Sequence, residues 1–385
     1  MKEMIIMLRV IKNIIMFLIL HILWIFPIHK YRILFMSYGG KYYNDNPKAL
    51  SDYLKDIKHL DIIWVVENTD CKEDNIHFVN KSSLSYLYYL ATSAMWIDNC
   101  RKASWVRKRN GQYYIQMWHG GIPLKMVEKD AEQTLPSEHI RCAKNDSKMA
   151  NLMISNCSWK TELIHRAFWY DGEILSCGTP RLDSYFSSQI ISYRQKCEKA
   201  HLNPNYKYIL YAPTFRNSES LEPYDIDFIK VCSELKKVTG YEWKVLYRLH
   251  PNIKRLGELI VGTSVVLNMT DYPDLYELLD VSEILITDYS SVMFEGGFLG
   301  KYVALYCSDY NDYLKERALY FDIKKLPYDF TTNMEQLMNY IRNYNSPKYK
   351  AALNDFNKQL QVYEDGNSCE QLSYRIMRYM NLEVK

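Results

Sequence analysis

No two cysteines in this chain are spaced as CxxC, although nine are present. They stand singly at Cys71, Cys100, Cys142, Cys157, Cys177, Cys197, Cys232, Cys307 and Cys369. An odd, scattered set argues against a disulfide framework or a zinc site, and fits reduced thiols of a cytosolic compartment. Absent too are GxGxxG and GxxxxGK[ST], so neither common nucleotide fingerprint is at hand. No internal repeat or low-complexity tract appears. Nor is there a strong charge imbalance: a net charge of +3 is too small for bulk electrostatic binding, so nucleic acid is not an expected partner.

Also missing is a run of about 20 apolar residues, the length a membrane-spanning helix needs. The most apolar stretch, Met4–Ile28, is broken by Arg9, Lys12 and Asn13, and its cleanest part, Ile14–Phe26, contains His21. Trp24-Ile25-Phe26-Pro27 lacks the small residues of a signal-cleavage site. Lys2, Arg9, Lys12, Lys30 and Arg32 flank or interrupt the run. Residues 1–30 therefore read as an interfacial anchor on the inner membrane surface, peripheral on its cytoplasmic face; a single-pass helix is the alternative.

What the chain does contain is enough apolar sequence for large cores: 48% of its 385 residues are hydrophobic and 24% charged. Short apolar runs alternate with helical stretches. Strands are expected at Arg32–Ser37, Asp61–Val66, Ala94–Asp98, Tyr113–Met117, Leu152–Ser155 and Ile174–Cys177. A second series is expected at Tyr208–Tyr211, Trp243–Leu249, Val265–Asn268, Glu283–Thr287 and Val303–Tyr306. The alternation predicts an α/β protein with two parallel, doubly wound sheets. The expected domains cover residues 31–187 and 205–385, with a linker region at 188–204.

The stretch Glu283–Gly300 organises the second half. A buried strand runs into Asp288-Tyr289-Ser290-Ser291, a turn rich in capping residues, and then a helix from Val292. Such turns sit where open α/β sheets bind ligands, and helix N–H groups there suit a phosphate. Arg216 and His250 also follow strands, so they should share that edge with Ser290 and Ser291. An arginine, a histidine and two hydroxyls around one crevice suggest a phosphate or diphosphate ligand. In the first half, His119-Gly120-Gly121 follows a strand, where a ligand can approach the backbone. Just upstream, Arg101, Lys102, Arg107, Lys108 and Arg109 form a basic cluster, read as a solvated face or as a surface for lipid heads or an anionic acceptor. Asp225-Ile226-Asp227 is spelled like a metal–nucleotide DxD, but its place before a helix favours N-terminal helix charge. No metal-ligand constellation is evident.

QMWHGGIPLKMVEKD, YAPTFR, RLHP, DLYELLDVSEILITDYSSVMFE and RALYFD follow one another in this chain. Their order resembles the CDP-glycerol glycerophosphotransferases, the teichoic-acid glycerol phosphate transferases and polymerases of bacterial envelopes. GTPRLD at Gly178–Asp183 and SYGGKYYNDNPKAL near the start fit as well, and the likeness spans residues 32–330. The resemblance implies a GT-B-like architecture, two Rossmann-like domains facing a central cleft, with an N-terminal membrane-associating helix. It also implies transfer of glycerol phosphate from CDP-glycerol to a hydroxyl of a membrane-linked glycan or poly(glycerol phosphate) acceptor. CMP is released, in teichoic acid or capsular polysaccharide synthesis.

By motif, the family's catalytic histidines fall on His119 and His250, and its donor-phosphate serines on Ser290 and Ser291. Arg248, Glu295 and Arg317 lie in the same motifs and are expected on the donor side, with Arg216 and Asp288. Gly39, Gly120, Gly121 and Lys125 are expected on the acceptor side. One departure stands out: the family often reads WHGTPLK, whereas Gly121-Ile122 lengthens the step to Pro123 by one residue. No tightly bound cofactor is expected; any Mg²⁺ would arrive with the donor diphosphate. The rival readings are ribitol-phosphate transfer on the same fold and a GT-B glycosyltransferase using a nucleotide sugar.

Overall fold

Alternate side chains of each apolar run point to opposite faces of its sheet, so one strand feeds two cores. In β1 (His29–Met36), Ile33 and Phe35 join one cluster while Leu34 and Met36 join the other. β2 (Asp61–Val66) divides likewise, with Ile62, Trp64 and Val66 opposed to Ile63 and Val65. Burial on both faces is what a parallel sheet requires, and it explains the unbroken apolar runs. The computed structural model describes residues 2–186, 192–216, 222–249, 263–344 and 346–382. His250 lies outside the described residues, as does the start of the expected linker at 188–191.

The first sheet adds β3 (Ile76–Asn80), β4 (Ser93–Asp98), β5 (Tyr113–Gln116), β6 (Leu152–Ser155) and β7 (Glu173–Ser176). Its order is β3-β2-β1-β4-β5-β6-β7, parallel throughout. The second contains β8 (Lys207–Tyr211), β9 (Trp243–Tyr247), β10 (Val266–Asn268), β11 (Ile284–Thr287), β12 (Tyr302–Tyr306) and β13 (Asp329–Thr331). Its order, β10-β9-β8-β11-β12-β13, is again parallel. Both sheets are doubly wound, with the order reversing at β1/β4 and at β8/β11; such reversals open crevices at the carboxyl ends of the strands. β3 and β13, absent from the sequence reading, are edge strands with only partial burial.

The chain divides into two units. One comprises Met1–Gly120, Val127–Phe186 and Val362–Lys385, the other Gly121–Met126 and Ser187–Gln361. The expected domain 205–385 is thus divided at Gln361. The reason is apolar: Cys369, Leu372, Ile376 and Met380 of the helix Ser368–Met380 complete the core around Ile33, Phe35 and Trp64. Asp183 accepts from the backbone N–H groups of Ser368 (3.1 Å) and Cys369 (2.6 Å), capping that helix. Glu364 accepts from Thr179 N (3.0 Å), Thr179 Oγ1 (2.6 Å) and Asn156 Nδ2 (2.9 Å).

The helix Lys2–Ile22 packs onto the first unit along one face only. Leu20 is fully buried, and Met16, Ile19, Leu23 and Trp24 pack on the cluster containing Leu87 and Leu90. Leu8, Ile11, Ile15, Leu18 and Ile22 remain exposed on the other face, followed by Ile25 at 77%. Among the described residues, no helix is long and apolar enough to cross a membrane.

Candidate functional site

In the first unit, the loop after β5 is held in a strained shape. Trp118 adopts φ +57°, costly for a large side chain, and its N–H donates to Gln116 Oε1 at 2.8 Å. The buried indole lies under the Arg101 guanidinium (5.3 Å) and against Phe168 (4.8 Å). His119 follows, solvent-exposed, its ring 4.4 Å from Trp118 and 6.1 Å from Tyr38. The loop after β1 is bent as well: Tyr38, Gly39, Gly40 and Asp45 all have positive φ, at 46°, 64°, 88° and 66°. A side chain at Gly39 would meet open space, and the carbonyl of Gly120 accepts from Lys160 Nζ at 2.9 Å. Although His119 is exposed, desolvation by the surrounding protein lowers its pKa below the usual histidine value; Asp45 and the Asn99 backbone oppose this, and Arg181 adds to it. A neutral imidazole at neutral pH is competent to take a proton.

The basic cluster upstream is not one surface. The Arg101 side chain is buried between Glu128 (3.0 Å) and Asp146 (3.1 Å), and Lys102 is buried on Asp98 (2.8 Å). Those two cations are spent in the core of the first unit. Arg107 and Arg109 instead touch the N-terminal segment, Arg107 over the Phe17 ring (5.6 Å) and Arg109 Nη1 donating to Phe26 O (2.9 Å). The Asp225–Asp227 stretch behaves as expected of a helix start, with Asp227 capping Phe228–Thr239 by accepting from Lys230 N at 3.0 Å.

In the second unit, Gly121–Met126 forms a short antiparallel ladder with residues 318–320. Met126 N donates to Ala318 O (3.0 Å), Tyr320 N donates to Leu124 O (2.8 Å), and Lys125 faces Leu319. Leu124 N also donates to Ser291 Oγ at 3.2 Å. Gly121 and Lys125, expected on the acceptor side, therefore share a unit with the serine turn, because these backbone bonds tie them there. Lys125 lies over the Tyr313 ring (5.5 Å), and burial lowers its amine to about 8, with Asp288 opposing and Arg317 and Arg216 adding to the fall. Ser290 Oγ accepts from Val292 N at 3.5 Å, at the start of the seven-residue helix Val292–Phe298. Two half-buried hydroxyls and one poised amine thus stand in one place. A hydroxyl that accepts from an N–H keeps its own proton to donate to an anion.

Arg216 and Asp288, expected on the donor side, are engaged by neighbouring groups of the protein. Arg216 is 7% exposed and makes a two-pronged contact with Asp309, through Nε at 2.6 Å and Nη2 at 3.1 Å. Its Nη1 reaches Asp288 Oδ2 (2.8 Å) and Thr214 O (2.6 Å). Asp288 Oδ1 accepts from Thr214 N (2.8 Å) and Tyr289 N (2.6 Å). Tyr289 donates to Asp309 Oδ1 (3.0 Å) and stacks on Tyr313 at 3.6 Å. One guanidinium thereby locks the loops after β8, β11 and β12 together. Glu295 is buried and accepts from Tyr276 OH at 3.0 Å, while Arg248 Nη1 donates to Tyr272 O. Arg317 is exposed at the end of the helix Tyr310–Glu316.

The profile of the CDP-Glycerol:Poly(glycerophosphate) glycerophosphotransferase family matches residues 18–378. The chain belongs to this family. It is 28% identical over 373 residues to the teichoic acid poly(glycerol phosphate) polymerase of Bacillus spizizenii, covering 92% of this chain and 94% of the relative. It is 28% identical over 368 residues to the teichoic acid glycerol-phosphate transferase of Staphylococcus aureus, covering 91% and 94%. Among solved structures, a histidine-to-asparagine variant of the wall teichoic acid polymerase TagF soaked with CDPG has a TM-score of 0.83 and 25% identity, covering 97% of each chain. The protein is a CDP-glycerol glycerophosphotransferase with two parallel α/β sheets.

In this glycerophosphotransferase, Asp309, Asp45 and Arg181 join contacts to which no motif pointed. Asp309 was findable, since it follows β12 at the edge that singled out Arg216 and Ser290. Asp45 and Arg181 stand in SYGGKYYNDNPKAL and GTPRLD, motifs without an assigned role. The helix after β1 spans Asp45–Leu54, with Asn44 as its N-cap residue.

Removing the guanidinium of Arg216 would leave Asp288 and Asp309 without their shared cation. Breaking a buried pair from one side costs about 3–5 kcal/mol. Arg216→Met should therefore lower the melting temperature sharply in calorimetry. A variant that loses donor affinity at an unchanged melting temperature would return Arg216 to direct phosphate contact.

Proposed function

We propose that this enzyme transfers glycerol phosphate from CDP-glycerol to a hydroxyl of a poly(glycerol phosphate) or membrane-linked glycan acceptor, releasing CMP, in teichoic acid synthesis. One observation carries the reading: within a family match over residues 18–378, Lys125 and the Ser290–Ser291 turn lie together in the second unit. His119, in the first unit, is the general base. It takes the acceptor hydroxyl proton as the oxygen forms a bond to the glycerol-bearing phosphorus. The bond from that phosphorus to the bridging oxygen breaks, and its electrons leave on CMP. Ser290 and Ser291 donate to phosphate oxygens while the Lys125 ammonium stabilises the charge that develops there. Arg317 and Arg248 supply further positive charge on the donor side. His250 remains the second catalytic candidate by motif.

The purified enzyme, CDP-glycerol and a short poly(glycerol phosphate) acceptor should yield CMP and a product lengthened by glycerol phosphate, read by mass spectrometry. His119→Ala should lose turnover by about 10²–10⁴-fold, the usual range for a general base. Turnover with a nucleotide sugar but not CDP-glycerol would overturn the reading.

Lys125 makes the donor site sensitive to pH. Its amine is charged below about 8 and neutral above, so CDP-glycerol affinity of the free enzyme should fall as pH rises through that value. Lys125→Gln should bind about tenfold or more weakly, as expected for one lost hydrogen bond to a charged group, and should lose this alkaline limb. Calorimetric titrations across the range decide; an unchanged limb in Lys125→Gln would sink the role.

The N-terminal helix is proposed to lie in the cytoplasmic leaflet by its exposed face. The support is that Leu8, Ile11, Ile15, Leu18 and Ile22 are left uncovered while Leu20 holds the opposite face to the protein. Ile11→Glu with Ile15→Glu and Ile22→Glu should abolish sedimentation with anionic vesicles without lowering the melting temperature. Undiminished vesicle binding would rule the face out.

A further inference from the structure

Two motifs outside the proposed chemistry meet on the backbone of Trp118 and His119. Asn46 Nδ2 donates to the carbonyl of Trp118 (3.3 Å), and Arg181 Nη1 donates to the carbonyl of His119 (3.3 Å). The two grips are themselves joined. Arg181 N donates to Asn46 Oδ1 (3.2 Å), and Arg181 Nη1 donates to Asp45 Oδ1 at 2.6 Å. Asp45 Oδ1 also accepts from Asn46 N (2.6 Å), while Oδ2 accepts from Tyr38 OH. The Arg181 and Asp45 side chains are 4% and 3% exposed, so water competes little for them. Asp45 holds φ +66° and Trp118 φ +57°; two strained residues persist only where the surroundings over-determine them.

We infer that Asp45, Asn46 and Arg181 form a clamp of positioning residues that sets the backbone, and hence the ring, of His119 for proton abstraction. The inference rests on the reading of His119 as the base. An unclamped loop would relax its left-handed turn and carry the imidazole away from the acceptor hydroxyl. Misplacement by about 1 Å is enough to cost on the order of 10²-fold in rate. None of the three residues belongs to the unit that holds the serine turn, so donor affinity should not depend on them.

The charged groups acting on His119 from its own unit are Asp45, Arg181 and Glu128, and the clamp contributes both signs. Asp45 favours the imidazolium and Arg181 disfavours it. Removing each charge should move the acid limb of the kcat profile in opposite directions, which a loss of stability alone would not do.

The test compares the full chain with Asp45→Asn, Arg181→Gln, Arg181→Lys and His119→Ala, measuring kcat, CDP-glycerol KM, melting temperature and the kcat–pH profile. Asp45→Asn and Arg181→Gln should lose kcat by on the order of 10²-fold at near-constant KM. The acid limb should move down in pH for Asp45→Asn and up for Arg181→Gln. Arg181→Lys keeps the charge and loses only the shared grip, so it should lose kcat with the limb unmoved; it also serves if Arg181→Gln fails to fold. Clamp variants with parental kcat beside an inactive His119→Ala would overturn the clamp and leave the base in place. An active His119→Ala would overturn the base, and the clamp with it.

Discussion

Parallel strand pairing is the constraint from which the chemistry follows. Each strand of both sheets runs alongside its neighbours in one direction, so all carboxyl ends fall on one edge of their sheet. Side chains that are far apart in sequence are gathered there by pairing alone. At β1, β4 and β5 that edge carries Tyr38, Asn99 and His119; at β8, β11 and β12 it carries Arg216, Asp288 and Asp309. The order reverses between β1 and β4 and between β8 and β11, which parts the crossover helices and leaves room for a ligand.

What fills those edges is charge turned inward. Arg101, Lys102, Arg181 and Arg216 all spend their cations on buried carboxylates. Taking two charges out of water is costly, so such pairs add little net stability compared with apolar packing. They do make the loops specific, because a forked guanidinium accepts only a narrow range of partner geometries. The loops after β8, β11 and β12 meet on Arg216, and the grips on His119 and Trp118 meet at Arg181. Loops at the carboxyl ends of the strands are thereby held by polar contacts while apolar cores hold the sheets.

The first helix shows the opposite economy. Its protein-facing side is tied down by Leu20 and by Arg107 over the Phe17 ring, and Arg109 holds Phe26 just past its end, while its other side is apolar and uncovered. That same tie makes the segment part of the fold of the first unit rather than a detachable tail.

Strand content, class and the edge-borne motifs were legible in the residues, because local apolar periodicity and capping chemistry are properties of short windows. Asp61–Val66 and Leu152–Ser155 read from sequence as they stand in the structure, whereas the edge strands β3 and β13 carry a weaker signal because they are less buried. His119, Ser290 and Ser291 were singled out by position after a strand and by motif. Which unit a residue joins was not legible: Lys125 leaves the unit of His119, and the last helix returns to the first sheet, through contacts between distant segments. Nor did residue type tell an arginine aimed at a ligand from one aimed at a carboxylate. The sequence by itself determined the two parallel sheets and the family; only the tertiary structure decided where each charge is spent, since a cation's partner is chosen by the fold that brings it near.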